Sequence, residues 1–99
     1  MAVTAFVAAG AGTWRLDGPL TFDSVPALRP SGIGLLAQGG DALTIDLQGV
    51  LAADSAGLAL LIDWLAIARV KGCTLRYVKV PEALRALAAL SEVEALISA

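Results

Sequence analysis

The residues best suited to chemistry in this chain lie between Asp46 and Gly57. Asp46 ends a short apolar segment, and Asp54-Ser55-Ala56-Gly57 opens the next one. Two carboxylates and a hydroxyl in one short stretch suit three kinds of chemistry. They fit a metal or acid–base pair, a serine nucleophile, or a serine that receives a phosphate.

The carboxylate pair is better explained by backbone hydrogen bonding than by catalysis. Nothing else acidic lies close to Asp46 and Asp54 in sequence, so a metal cage would be incomplete. A nucleophilic Ser55 would need a base, but the chain has no histidine, and the spacing of Lys71 and Lys79 does not support that role. The sequence therefore predicts a protein that is not an enzyme and binds no metal or cofactor.

Ser55 lies where a buried strand and a loop lead into a helix. The first N–H groups of a helix are unpaired and lie at the positive end of its dipole. A serine there caps the helix in the simplest interpretation, and the same N–H groups would partly stabilise a phosphate on Ser55. Gly57 keeps the surface low for an approaching protein. We favour a partner-binding or regulatory role for Asp46, Asp54, Ser55, Gly57 and Leu58.

The elements that position these residues are strands and helices in alternation. The first predicted pair is a hairpin, and a strand, a long helix, a strand and a helix follow it. The predicted segments are Thr4 to Ala8, Thr13 to Leu16, Ala42 to Leu47, Ser55 to Val70, Thr74 to Val80, Pro81 to Leu90 and Glu92 to Ile97. The third strand is expected to be covered on both faces. Parallel pairing after an antiparallel hairpin predicts an α/β fold, a mixed sheet of about four strands in one domain over residues 1–99.

The segment from Ser24 to Gln38 is harder to interpret. Its apolar spacing suggests helix, but Pro26, Pro30 and Gly32 interrupt the pattern. We expect a short helix near Val25 to Leu28 and a second one after Pro30.

The long helix carries apolar residues on two faces. Leu58, Leu61, Ile62 and Leu65 share the face expected to pack on the sheet. The roughly opposite face carries Leu60, Trp64 and Ile67. Because tryptophan is enriched among interface anchors, Leu60 and Trp64 are predicted to be exposed and to extend the partner-binding surface. Trp14 and Phe22 are interpreted as core or core-edge residues, and Cys73 as a buried small residue.

Composition limits the classes of partner. The chain has 99 residues, 58% of them hydrophobic and 16% charged, with a mean hydropathy of +0.78, which hints at an apolar partner surface. The net charge of −2 and the lack of a basic run argue against nucleic-acid binding. The most apolar stretch, Ala56 to Ile62, is too short to span a membrane. One cysteine and no charged signal-peptide lead-in predict a cytosolic location.

The segment from Ile45 to Leu58 resembles the STAS domain family. Its mark is a strand ending in Asp, a loop, and Asp-Ser/Thr-small-Gly-Leu opening a helix, matched here by Asp46, Asp54, Ser55, Gly57 and Leu58. In that family the serine or threonine is the regulatory position. The resemblance implies that Ser55 holds this position, and it extends over most of the chain.

Two branches of the family suggest two functions. Gly57 to Ile62, the Ala-Arg-Val-Lys-Gly helix end and Pro81 to Leu87 are similar to the MlaB branch. That resemblance implies a cytosolic subunit that binds the ATPase of a phospholipid-transporting ABC complex, together with its membrane permease, at the inner membrane. The other branch is the anti-sigma factor antagonist, whose motif serine is phosphorylated by an anti-sigma factor kinase. A homodimer of the isolated chain would be unsurprising in either case.

Overall fold

The computed structural model describes residues 3–38 and 40–97. The secondary-structure elements follow in the order two strands, a helix, a strand, a helix, a strand and two helices. The bounds are β1 Ala5–Gly10, β2 Thr13–Asp17, α1 Val25–Gln38, β3 Ala42–Asp46, α2 Ser55–Lys71, β4 Thr74–Val78, α3 Glu82–Leu90 and α4 Glu94–Ile97.

The four strands form one mixed sheet in the order β1-β2-β3-β4. β1 and β2 are antiparallel, with Phe6 opposite Leu16, as expected for a tight hairpin. β2 pairs parallel to β3, and β3 parallel to β4, with Ile45 opposite Tyr77. The α/β class and the mixed four-stranded sheet predicted from the sequence are confirmed.

The core lies on one face of the sheet. Strand side chains alternate between buried and accessible, and the buried ones fall on a single face: Leu16, Leu43, Ile45, Leu75 and Tyr77. These join the buried residues of all four described helices in one cluster. The expectation that β3 is covered on both faces is therefore wrong. The other face, here called the open sheet face, carries alternate residues such as Arg15, Asp17, Thr44, Asp46 and Arg76.

α1 is one helix of 14 residues, and the predicted break at Pro30 is wrong. Pro26 lies in the first turn, where a missing N–H costs little. Pro30 does cost one backbone hydrogen bond, but the helix continues because Leu28, Gly32 and Leu36 form a buried stripe along it. Tertiary packing outweighs the local preference for a break.

The prediction that Leu60 and Trp64 are exposed is wrong, because α1 covers them. Both are buried, with 3% and 0% of their surface exposed. The Trp64 indole N–H donates a hydrogen bond of 3.2 Å to the carbonyl of Arg29, and its ring lies 5.6 Å from that of Phe6. The second apolar face of α2 therefore packs against a neighbouring helix instead of facing solvent.

Three smaller predictions have mixed outcomes. Phe22 is 76% exposed, so its placement in the core is wrong, whereas Trp14 is half-buried at the core edge. Cys73 is buried and free, as expected. Of the four α2 residues predicted to pack on the sheet, Leu58 and Leu61 are buried, whereas Ile62 and Leu65 are partly buried against the core.

The predicted helix ends are close to those observed. α2 ends at Lys71, and Gly72 caps it in the left-handed conformation, with a φ of 76° and N–H contacts to the carbonyls of Ala68 and Arg69. β4 stops at Val78, two residues early, and Pro81 takes the N-cap position of α3 instead of its first turn. None of the helices in residues 3–38 and 40–97 has the length and apolarity to cross a bilayer.

Candidate partner-binding site

Asp54 is the N-cap of α2 and joins it to the segment before α1. Its Oδ1 accepts hydrogen bonds from the N–H groups of Ala56 and Gly57 at 3.0 and 3.1 Å. Its Oδ2 accepts one from Phe22 N–H at 3.0 Å. These N–H groups, that of Phe22 most strongly, lower the pKa of the Asp54 carboxyl. The ionised Asp54 side chain therefore connects the loop before α1 to the start of α2 through hydrogen bonds.

The same two loops are paired through their backbones. Leu20 N–H donates to the carbonyl of Ala52 at 2.8 Å, and Asp54 N–H donates to the carbonyl of Leu20 at 3.2 Å. A Cβ on Gly57 would overlap that Leu20 carbonyl. Gly57 therefore allows the Leu20 backbone to pack closely against the start of α2. Because Gly57 is buried, the expectation that it keeps the surface low for a partner is wrong.

Ser55 is exposed at the first position of α2. Because Asp54 is the N-cap of α2, the interpretation of Ser55 as the helix cap is wrong. It lies beside the positive end of a 17-residue helix. Ser55 is accessible to a protein or to a phosphate donor.

Asp46 has a separate environment at the end of β3. Its Oδ1 accepts a hydrogen bond from Gln48 N–H at 2.8 Å, and its Oδ2 lies 3.7 Å from the Lys79 ammonium. Its side chain is 14% exposed on the open sheet face. The interpretation of Asp46 and Asp54 as acceptors for backbone N–H groups is confirmed.

The two aspartates do not assemble a metal site. In residues 3–38 and 40–97 no three His, Cys, Asp or Glu side chains cluster closely enough to hold an ion. Lys71 lies at the far end of α2 from Ser55, about 24 Å away at 1.5 Å per residue, so it cannot act as its base.

A groove between α1 and α2 runs from the Ser55 end of α2. It has a volume of about 410 Å³ and is mostly apolar. We call it the α1–α2 groove; its lining residues are Phe22, Val25, Pro26, Arg29, Ala56, Ala59, Leu60 and Asp63. Arg29 and Asp63 bridge its far end through an exposed ion pair of 2.8 Å. Phe22, at 76% exposure, stands at the near end.

The structure thus brings some predicted site residues together and separates others. Asp54 accepts a hydrogen bond from Phe22, which lines the groove, and Ser55 directly precedes the lining residue Ala56. Gly57, Leu58 and Trp64 are buried. Sequence reasoning missed Phe22, which has polar neighbours in Thr21 and Asp23. Those polar flanks were the available signal that this aromatic lies in a turn.

The comparison with family models agrees with this arrangement. A model described as "Mlab, STAS domain" matches residues 6–98. The chain belongs to the STAS domain family. The resemblance inferred from the segment from Ile45 to Leu58 is therefore confirmed. STAS domains are generally non-catalytic regulatory or antagonist modules. Among curated proteins, none matches the sequence.

Solved STAS structures share the fold at low sequence identity. The anti-sigma factor antagonist SpoIIAA in its unphosphorylated form has a TM-score of 0.65 at 12% identity, covering 86% of this chain and 80% of that chain. The phosphorylated form, from Bacillus, has a TM-score of 0.68 at 13% identity, covering 96% and 88%. The TM-scores show a common fold, and at these identities the likeness shows the fold alone.

A STAS-like fold also occurs as part of a larger protein. The murine anion transporter Slc26a9 in its inward-facing state matches with a TM-score of 0.59 at 18% identity. The match covers 90% of this chain and 14% of that chain. The same fold thus accompanies both signalling and transport proteins.

Proposed function

We propose that this chain is a non-catalytic STAS subunit that binds the cytosolic ATPase of a phospholipid-transporting ABC complex. The observation that carries the proposal is the surface formed by Ser55, Phe22 and the α1–α2 groove. Phe22 and Ser55 are exposed, and the groove between them and the Arg29–Asp63 pair is mostly apolar and lies between two packed helices. The family model that matches residues 6–98 carries the description of the MlaB branch, which supports the choice of partner.

The chemistry of this surface suits protein recognition. Phe22 is a large exposed aromatic residue, and aromatic residues are enriched in the buried centres of protein interfaces. Ala56 and Ala59 leave the groove floor low enough to accept a partner side chain. The Arg29–Asp63 pair supplies a polar rim that would fix register.

Such a subunit acts by preferring one state of its partner. By binding the assembled, active arrangement of the ATPase better than the inactive one, it shifts that equilibrium. ATP and Mg²⁺ belong to the partner in this scheme, because the sequence has no Gly-rich phosphate loop of the Walker kind. The chain would lie in the cytoplasm, attached to the inner membrane only through its partners.

Affinity purification from lysate of the native cells tests the proposal, followed by calorimetry with the purified partner. We expect wild type to recover an ABC ATPase with its membrane permease. Phe22→Ser and Ser55→Glu should weaken binding at least about tenfold, because they remove an anchor or add charge to the contact. Val70→Ser is the matched control, since Val70 is 89% exposed near the opposite end of α2. Loss of binding in the control alone, or in none of the three, contradicts the proposed surface.

A second candidate function is an anti-sigma factor antagonist regulated at Ser55. The exposed hydroxyl, free of the capping role, and the fold shared with both forms of SpoIIAA favour it. Incubation with the cognate anti-sigma factor kinase and ATP, followed by intact mass spectrometry, tests this function. Phosphate on wild type and none on Ser55→Ala would support the switch. No phosphate on either protein would count against it.

A further inference from the structure

Among the described residues, β1 is an edge strand of the sheet, and its own residues include no charged side chain and no proline. It is the terminal strand in the order β1-β2-β3-β4, and five of its six residues are exposed. An edge strand presents unpaired N–H and C=O groups, which natural proteins shield with charge, proline or a covering element. No charged residue and no proline occurs before Arg15 in the sequence.

The opposite edge is protected in the usual way. β4 carries Arg76 at its centre, and Lys79 follows it directly. Lysine and arginine on an edge strand disfavour pairing with a second copy, since like charges would meet across the new ladder. The two edges of this sheet therefore differ in their capacity for self-association.

The geometry of β1 leaves room for another strand. Its register with β2 is regular from Ala5 to Ala8, and the irregularity lies between Ala8 and Gly10, next to the turn. That turn is built from alanine and glycine, so no large side chain blocks the approach. A groove of about 320 Å³ lies between β1 and α1, lined by residues such as Phe6, Leu28 and Leu35. Side chains of an added strand on the helix side of the sheet would enter it.

We propose that two copies of this chain associate through β1, in antiparallel register, to form one continuous eight-stranded sheet. A second copy is the occupant because a twofold axis pairs identical strands antiparallel, and neither strand carries charge to oppose this. The short regular segment and its small side chains make the dimer weak and concentration-dependent. The interface is separate from the α1–α2 groove, so the proposal stands whichever partner binds there.

Sedimentation velocity from roughly 1 µM to 1 mM tests the dimer. The variant Ala5→Lys/Val7→Lys places four lysines at the interface, on the open sheet face. Within each copy position 5 lies opposite Asp17 and position 7 lies opposite Arg15, so the two new lysines face one charge of each sign. Far-UV circular dichroism of the dilute variant checks that the monomer folds. The dissociation constant of the dimer should rise at least about tenfold in this variant. Thr74→Lys, which adds charge to the β4 edge, should leave it unchanged.

Hydrogen exchange locates the contact independently. In wild type, exchange of β1 amides should slow as protein concentration rises, and in Ala5→Lys/Val7→Lys it should not. A chain that stays monomeric over the whole concentration range overturns the proposal. A strand of another protein would then be the remaining candidate to pair with β1. Dimers abolished by Phe22→Ser but not by the lysine variant also overturn it, because the α1–α2 groove would then be the contact.

Discussion

Asp54 holds together two segments that are distant in sequence, and its charge is part of that role. The N–H groups of Phe22, Gly57 and Ala56 lower the pKa of its carboxyl in the folded protein. A lowered folded-state pKa means that the ionised group contributes stability above the unfolded pKa of about 3.9. That contribution is lost as pH falls through the lower folded pKa.

Asp54→Asn tests this linkage. The variant should be less stable than wild type at pH 7. This difference in the free energy of unfolding should shrink as pH falls below about 4, because only wild type has an Asp54 carboxylate that becomes protonated there. Urea unfolding over that pH range gives the comparison. Asp23→Asn removes one negative charge from an exposed neighbouring position and is the control. Parallel pH profiles for wild type and Asp54→Asn would show that the carboxylate charge has no such role.

Two glycines of α1 differ in whether they contact α2. A Cβ on Gly32 would overlap the Trp64 indole, whereas a Cβ on Gly34 meets nothing within 4 Å. Gly32→Ala should therefore destabilise the protein by about 1–3 kcal/mol through overpacking. Gly34→Ala should stabilise it by up to about 1 kcal/mol, because alanine is the better helix former.

Chemical denaturation of both variants measures the two effects. The near-UV signal of Trp64 should change in Gly32→Ala and stay constant in Gly34→Ala, since only the first position touches the ring. Equal stabilities of the two variants would mean that α1 shifts away from α2 at little cost.

α1 is also the element that sequence reasoning placed least well. Pro30 and Gly32 are local signals against a helix, and local signals were all that the sequence offered there. Gly32 has a tertiary reason, the approach of Trp64, which no spacing rule contains. The strands and α2 were predictable because their periodicity and caps are local properties.

The same distinction between local signals and tertiary contacts applies to the residues of the candidate site. Asp54 and Ser55 were found because a strand–loop–helix motif is continuous in sequence. The groove was missed because Phe22, Pro26 and Arg29 join it through the fold, and the covering of Trp64 by α1 was missed for the same reason. Burial on a second helix face requires knowledge of which helix packs there.

At the scale of the whole molecule, one core connects every described helix and strand. Its buried cluster includes Leu16 of β2, Leu43 of β3, Leu84 of α3 and Ile97 of α4, and the partly buried Phe6 of β1 packs against it. Even the short α4 is anchored, since Ile97 is 1% exposed. A single shared core predicts that no element unfolds alone.

The variant Trp14→Phe makes this cooperativity measurable, because it leaves Trp64 as the one tryptophan. Trp64 fluorescence reports the contact of α1, α2 and β1, and far-UV circular dichroism reports all helices together. At roughly 1 µM protein, where a weak dimer is dissociated, the two urea transitions should share one midpoint. A dichroism midpoint below the fluorescence midpoint would instead mean that α3 and α4 separate from α2 first, and that the core described above is two cooperative units.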